Sequence, residues 1–142
     1  KLCENKNPAW KPGKENIAMS RFLQCKECHG ICLVLFGKED AGCGTYEKLH
    51  ANTSDGAVEK HLPVVKAWKN VVEVRVGEND HPMADDHFIT WVYLETTRGG
   101  HLRVLKPGDE PAAVFSLSDE EKPLAVYEYC NLHGLWKKEL DA

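Results

Sequence analysis

From Val71 onward the apolar residues come in runs of five to seven, each closed by a turn signal, and no long segment keeps a helical period. Val71–Val76 alternates strictly, with Val72, Val74 and Val76 on one face and Glu73 and Arg75 on the other. Phe88–Leu94 is aromatic and β-branched throughout, the composition of a strand buried on both faces. His101–Leu105, Ala112–Leu117 and Leu124–Tyr129 are shorter strand candidates. Between them lie Gly77-Glu78-Asn79-Asp80, Arg98-Gly99-Gly100 and Lys106-Pro107-Gly108-Asp109, all turn-forming sequences. Short strands punctuated every ~8–12 residues predict an all-β chain built as a β-sandwich. No internal repeat is visible.

The remainder of the 142 residues does not fit that pattern. Five of the six cysteines (Cys3, Cys25, Cys28, Cys32, Cys43, Cys130) fall within the first 43 residues, around one short apolar run, Ile31–Phe36. A segment this small makes a poor hydrophobic core and usually needs a metal or a disulfide to stay folded. Two domains are therefore expected: residues 1–52, Cys-rich, and residues 53–142, the sandwich, joined near Asn52-Thr53-Ser54-Asp55-Gly56. Residues 1–24 show no periodicity and read as an extended lead-in. No basic, apolar, small-residue signal opens the sequence, so the expected location is cytoplasmic and the cysteines read as metal ligands rather than disulfides. Ile31–Phe36, six residues, is also far short of the ~20 needed to cross a bilayer, so no membrane partner is expected. A net charge of −4 argues against nucleic acid as a partner and would repel a small anion at long range. An anionic substrate would need local positive charge at its site.

In the second part, His61, His81, His87, Cys130 and His133 all fall at expected strand ends or loops, where sandwich sites are assembled. Each has an ordinary explanation. A single loop histidine is more often a surface residue than a ligand, a cysteine after a strand more often packs as a small apolar group, and a C-x-x-H pair alone is shared with zinc sites and chance. Jointly they read as a metal site. Structural zinc closes at four ligands and catalytic zinc keeps three plus water. Four imidazoles and a thiolate make five, leave one octahedral position open, and suit iron.

Glu59-Lys60-His61-Leu62-Pro63-Val64, then His81-Pro82-Met83 with His87 six residues after His81, then Tyr129-Cys130-Asn131-Leu132-His133-Gly134-Leu135-Trp136 resemble, in order, the motifs of the superoxide reductases, the desulfoferrodoxin and neelaredoxin family. The resemblance covers about residues 50 to 139. It implies an immunoglobulin-like β-sandwich carrying one mononuclear iron, Fe(II)/Fe(III), with His61, His81, His87 and His133 around it and Cys130 on the axis. The implied activity is one-electron reduction of superoxide to hydrogen peroxide without release of dioxygen. Lys60 would attract the anion, and Glu59 would be able to take the sixth position in the ferric state. A rubredoxin-type electron donor and a homo-oligomer, dimer or tetramer, are implied as partners.

Cys25-Lys26-Glu27-Cys28 resembles the first ligand pair of the desulforedoxin-like N-terminal domain of longer family members, which carry two adjacent cysteines further on. Here that place reads Gly42-Cys43-Gly44, so one expected thiolate is missing. Cys25, Cys28, Cys32 and Cys43 then form a changed iron site or an Fe–S cluster, hold zinc, or hold nothing. Cys3 is an unassigned thiol. Two other readings of the whole chain stay open at this point: an electron-transfer protein with no substrate chemistry, and a zinc-stabilised β-sandwich serving as a binding module.

Overall fold

The computed structural model describes residues 21–35 and 44–141, so Cys3 and Cys43 lie outside the described residues. The chain separates into two units, Lys1–Leu49 and His50–Ala142. In the first, β1 (Arg21–Cys25) lies between β2 (Ile31–Val34) and β3 (Tyr46–Lys48) in an antiparallel sheet of order β2-β1-β3. Arg21–Cys25 falls where an unpatterned lead-in was expected up to residue 24. Its five residues are too few to show a period, and it becomes a strand by pairing on both edges.

The second unit carries a single turn of helix, α1 (Val58–His61), and seven strands: β4 (Pro63–Trp68), β5 (Val71–Val76), β6 (Ile89–Thr96), β7 (Gly99–Val104), β8 (Ala112–Ser116), β9 (Pro123–Cys130) and β10 (Gly134–Glu139). They form two antiparallel sheets, β10-β9-β6-β7 and β4-β5-β8, the layers of an immunoglobulin-like sandwich. The alternation in β5 becomes alternating burial: Val72, Val74 and Val76 are sealed in the core while Glu73 and Arg75 face solvent. Ile89, Val92 and Leu94 from β6, Phe115 from β8 and Val126 from β9 meet them. Each buried valine or leucine contributes on the order of 1.5–3 kcal/mol of apolar burial.

β6 runs beyond the expected Phe88–Leu94 through Glu95 and Thr96, both buried. The Tyr127 hydroxyl donates to Glu95 and the Thr96 hydroxyl to Glu121, so those polar groups are satisfied in place. The sequence places a strand edge at Leu62-Pro63-Val64 without giving β4 a range, and β10 was not anticipated; each is an edge strand with charge in its second half. Pro63 is tolerated there because it is the first residue of an edge strand.

One turn ties the sheet to the helix. After β5 the chain reverses through Gly77, whose φ is +85°, and Arg75 pairs with Asp80 across the turn. The Gly77 amide donates to the Leu62 carbonyl (3.3 Å), and the Asn79 amide to the Glu59 carbonyl (3.1 Å). A Cβ on Gly77 would lie 2.5 Å from the Asn79 oxygen and 2.6 Å from the Lys60 oxygen, both backbone atoms that cannot swing aside. Gly77→Ala should therefore destabilise the protein by at least about 2 kcal/mol, since the left-handed conformation and the clash add. A denaturation midpoint unchanged from the parent would show that the turn relaxes away from α1.

Candidate metal centre

Three chain reversals at one end of the sandwich deliver the candidate side chains. His61 is the last residue of α1, just before Pro63 opens β4. His81 and His87 bracket the loop between β5 and β6, which is folded on itself by paired bonds between Ala84 and His87. Cys130 ends β9, Gly134 opens β10 opposite it, and Asn131, Leu132 and His133 are the hairpin loop between them. Gly134 has φ +73°, the left-handed residue that a three-residue hairpin loop of this kind needs. A tight hairpin is thus the reason that a thiol and an imidazole three residues apart point the same way.

The structure brings all five together: one ligand atom from each of His61, His81, His87, Cys130 and His133 lies within 4.8 Å of every other. His61 Nε2 is 3.0 Å from His133 Nδ1 and 3.1 Å from His81 Nε2, and Cys130 Sγ is 3.6 Å from His133 Nδ1. His61, His81 and Cys130 are buried, while His87 and His133 are half-buried.

Their outer partners fix which nitrogen faces inward. His61 Nδ1 donates to the Ala57 carbonyl and His81 Nδ1 to the Pro82 carbonyl, each at 2.7 Å. With the proton on Nδ1, the Nε2 lone pair of both rings is turned into the cluster. His87 Nε2 is buried without a hydrogen-bond partner. Lone pairs this close repel unless a cation or a shared proton lies between them, and burial opposes the protons. Burial lowers the pKa of His61 and His87, and takes His81 down to about 4. Burial likewise raises the Cys130 thiol, with Glu128 adding to it, against amide hydrogen bonds from Leu132 and His133. The imidazoles of His61, His81 and His87, which burial keeps poorly protonated, converge with His133 and a soft sulfur, a donor set that fits a transition-metal ion.

Glu59 and Lys60 sit on α1 beside His61 and are exposed. The charge of Lys60 is felt at His87, where it adds to the effect of burial and of His133, and the charge of Glu59 is felt at His61. Both therefore lie within electrostatic reach of the cluster. Lys137 is bound to Glu139 (2.8 Å) and lies over the Tyr127 ring.

Three residues escaped the sequence reading. The Trp136 indole stacks on the His61 ring, 4.8 Å between centroids and 18° between planes. Gly56 leaves the space that a Cβ would take from the His61 and His133 rings, at 3.0 and 3.1 Å. Asn131, next to Cys130, reaches the loop that carries His87. Trp136 lay inside the motif already noted; its stacking is a tertiary contact with no local signal.

In the first unit, the register sets Cys32 opposite Leu23 and Tyr46 opposite Cys25, so Cys25, Cys32 and Tyr46 share one face of the sheet. The Cys28 and Glu27 amides and the Cys28 thiol hydrogen-bond to Cys25, whose pKa they lower. The Tyr46 hydroxyl hydrogen-bonds to Cys32, and its pKa is raised by Cys32 and then Cys25. Among the described residues, Cys25, Cys28 and Cys32 are free thiols. Cys43 lies outside them. No described helix is long and apolar enough to cross a membrane.

A family profile described as Desulfoferrodoxin matches residues 53–139. A desulfoferrodoxin of Syntrophotalea carbinolica is 43% identical over 119 residues, covering 82% of this chain and 93% of its own length. A superoxide reductase of Pyrococcus horikoshii is 35% identical over 105 residues, covering 62% of this chain and 91% of its own. The crystal structure of the superoxide reductase from Treponema pallidum superposes with a TM-score of 0.71 at 33% identity, over 83% of this chain and 98% of that one.

The histidine environment has a consequence for acid stability. His81 holds a pKa of about 4 against an ordinary 6.5, so as the pH falls the unfolded chain takes up its proton first. The metal-free protein should keep this contribution in full above pH 6.5 and lose it progressively towards pH 4. His61 and His87 act in the same direction. Urea midpoints of metal-free protein should fall across that window, and metal-loaded protein should hold its midpoint to lower pH because the cation competes with protons. A flat profile for the metal-free form would contradict the burial of these rings.

Proposed function

Since the chain belongs to the desulfoferrodoxin family, whose relatives mark it as an oxidoreductase, we propose that it is a superoxide reductase acting through one iron held by His61, His81, His87, His133 and Cys130. The observation that carries this reading is the convergence of four imidazoles and one thiol, with burial opposing the protonation of His61, His81 and His87. Iron held there would supply the single electron that converts superoxide, with two protons from solvent, into hydrogen peroxide.

The chain's own groups supply the rest. Ala57 and Pro82 carbonyls hold two rings in the ligating tautomer. Leu132 and His133 amides donate to the Cys130 sulfur, favouring the thiolate that burial alone would disfavour. Lys60 places a positive charge at the exposed edge of the site, on a chain whose net charge of −4 would otherwise repel superoxide. Glu59, on the neighbouring position, is proposed to approach the same open side when no substrate is there. A rubredoxin-like electron donor, a homo-oligomeric state and a cytoplasmic location complete the proposal.

Cys130→Ser should remove both superoxide turnover and the visible sulfur-to-metal charge-transfer band; retained turnover would defeat the role of Cys130. A colourless parent containing zinc would favour the binding-module reading instead. Lys60→Ala should slow the second-order reaction with superoxide about tenfold and flatten its dependence on ionic strength, as expected for loss of an attracting charge. Identical salt dependence in variant and parent would take Lys60 out of the mechanism.

For the first unit we propose a second, thiolate-held iron, Fe–S cluster or zinc on Cys25, Cys28, Cys32 and Cys43. What supports it is the gathering of three free thiols with Tyr46, and the amides directed at Cys25. Cys32→Ser should lower the iron-plus-zinc content per chain without changing the band that depends on Cys130. Unchanged metal content would exclude Cys32 from any such site.

A further inference from the structure

We propose that Asn131 is a positioning residue that locks the His87 arm of the metal centre to the Cys130 arm. The inference rests on the metal-centre reading above and concerns how that centre is held.

β6 and β9 pair as far as Ile89 and Cys130, and their main-chain ladder reaches one rung further, from the Asn131 amide to the Phe88 carbonyl at 3.2 Å. Beyond that rung the Asn131 side chain takes over. Its Oδ1 accepts the Phe88 amide and its Nδ2 donates to the Asp86 carbonyl, each at 2.9 Å. One carboxamide thus bonds the backbone on both sides of His87 while its own main chain is bonded to Cys130. A carboxamide suits this place because it presents an acceptor and a donor in one plane, as a peptide does.

His87 needs such support more than the other rings. His61 and His81 are fixed by their own Nδ1 bonds to carbonyls and by burial, and His133 shares the hairpin loop with Cys130. His87 is half-buried, its Nε2 has no hydrogen-bond partner, and its backbone is held from within its own loop only by the paired bonds to Ala84. Without the clamp the segment from Ala84 to Phe88 could pivot, and the His87 nitrogen would no longer keep a set distance from the Cys130 sulfur.

The test uses the full chain loaded with ferrous iron and follows its release to a chromogenic ferrous chelator. Asn131→Ala should release the metal about 10–100-fold faster than the parent, the usual cost of removing an outer partner of a ligand. Asn131→Asp, which keeps the acceptor for Phe88 and loses the donor to Asp86, should fall between them, and serves if the alanine variant folds poorly. A merely structural role is separated by a double-mutant cycle: with His87→Ala already present, Asn131→Ala should add little further acceleration. Release at the parent rate from the Asn131 variants, or an equal acceleration with and without His87, overturns the clamp. A parent chain that takes up no ferrous iron overturns both the clamp and the reading of the centre, whereas iron uptake without superoxide turnover defeats only the proposed reaction.

Discussion

Unprotonated imidazole nitrogens facing one another in a buried pocket are the constraint on which the functional end of this protein depends. His61, His81 and His133 bring ring nitrogens to 3.0–3.1 Å, with the Cys130 sulfur close by. In water each donor would be hydrated. For His61 and His81 burial removes that option and opposes the protons that would relieve the repulsion. The scaffold must therefore spend packing energy to hold the donors together, and a bound cation returns it.

The sandwich is well built for this. Its valine-rich layers bury Val72, Val74, Val76, Val92 and Val126 in a core that extends to Cys130, so the strands carry the stability while the loops at their ends present the other donors. Backbone bonds transmit the rigidity: Asn79 to Glu59 and Gly77 to Leu62 tie the first ligand segment to the second, and Asn131 ties the second to the third. The charged residues on α1 inherit their placement from the same bonds. The Lys60 carbonyl packs against Gly77, which holds the backbone of this residue beside His61.

Much of this was legible in the residues themselves. The Val71–Val76 alternation specifies a strand and its buried face outright, and the apolar run after Phe88 specifies a central one. The five donors stood out because Cys and His occur at strand ends in a recognisable order, and the structure draws them to one place. What escaped depends on distant partners. β1 is a strand because β2 and β3 flank it, and β10 and the extent of β4 hide behind lysines. Asn131 looked like a spacer between Cys130 and His133, since nothing nearby in sequence announces a bond to Asp86 or Phe88. Gly77 was visible as a turn residue, but not as the residue that lets α1 approach.

The separation of the ligands along the chain has a topological side. His61 and His133 are 72 positions apart, and nearly the whole sandwich is threaded between them. An ion gripping both closes a loop of that length, much as a covalent bridge would, and a denatured chain that kept hold of it would be deprived of several kcal/mol of conformational entropy, about 4 by the chain-closure relation. A filled centre would then also act as a removable staple, and stripping it with a chelator would release that constraint on the domain.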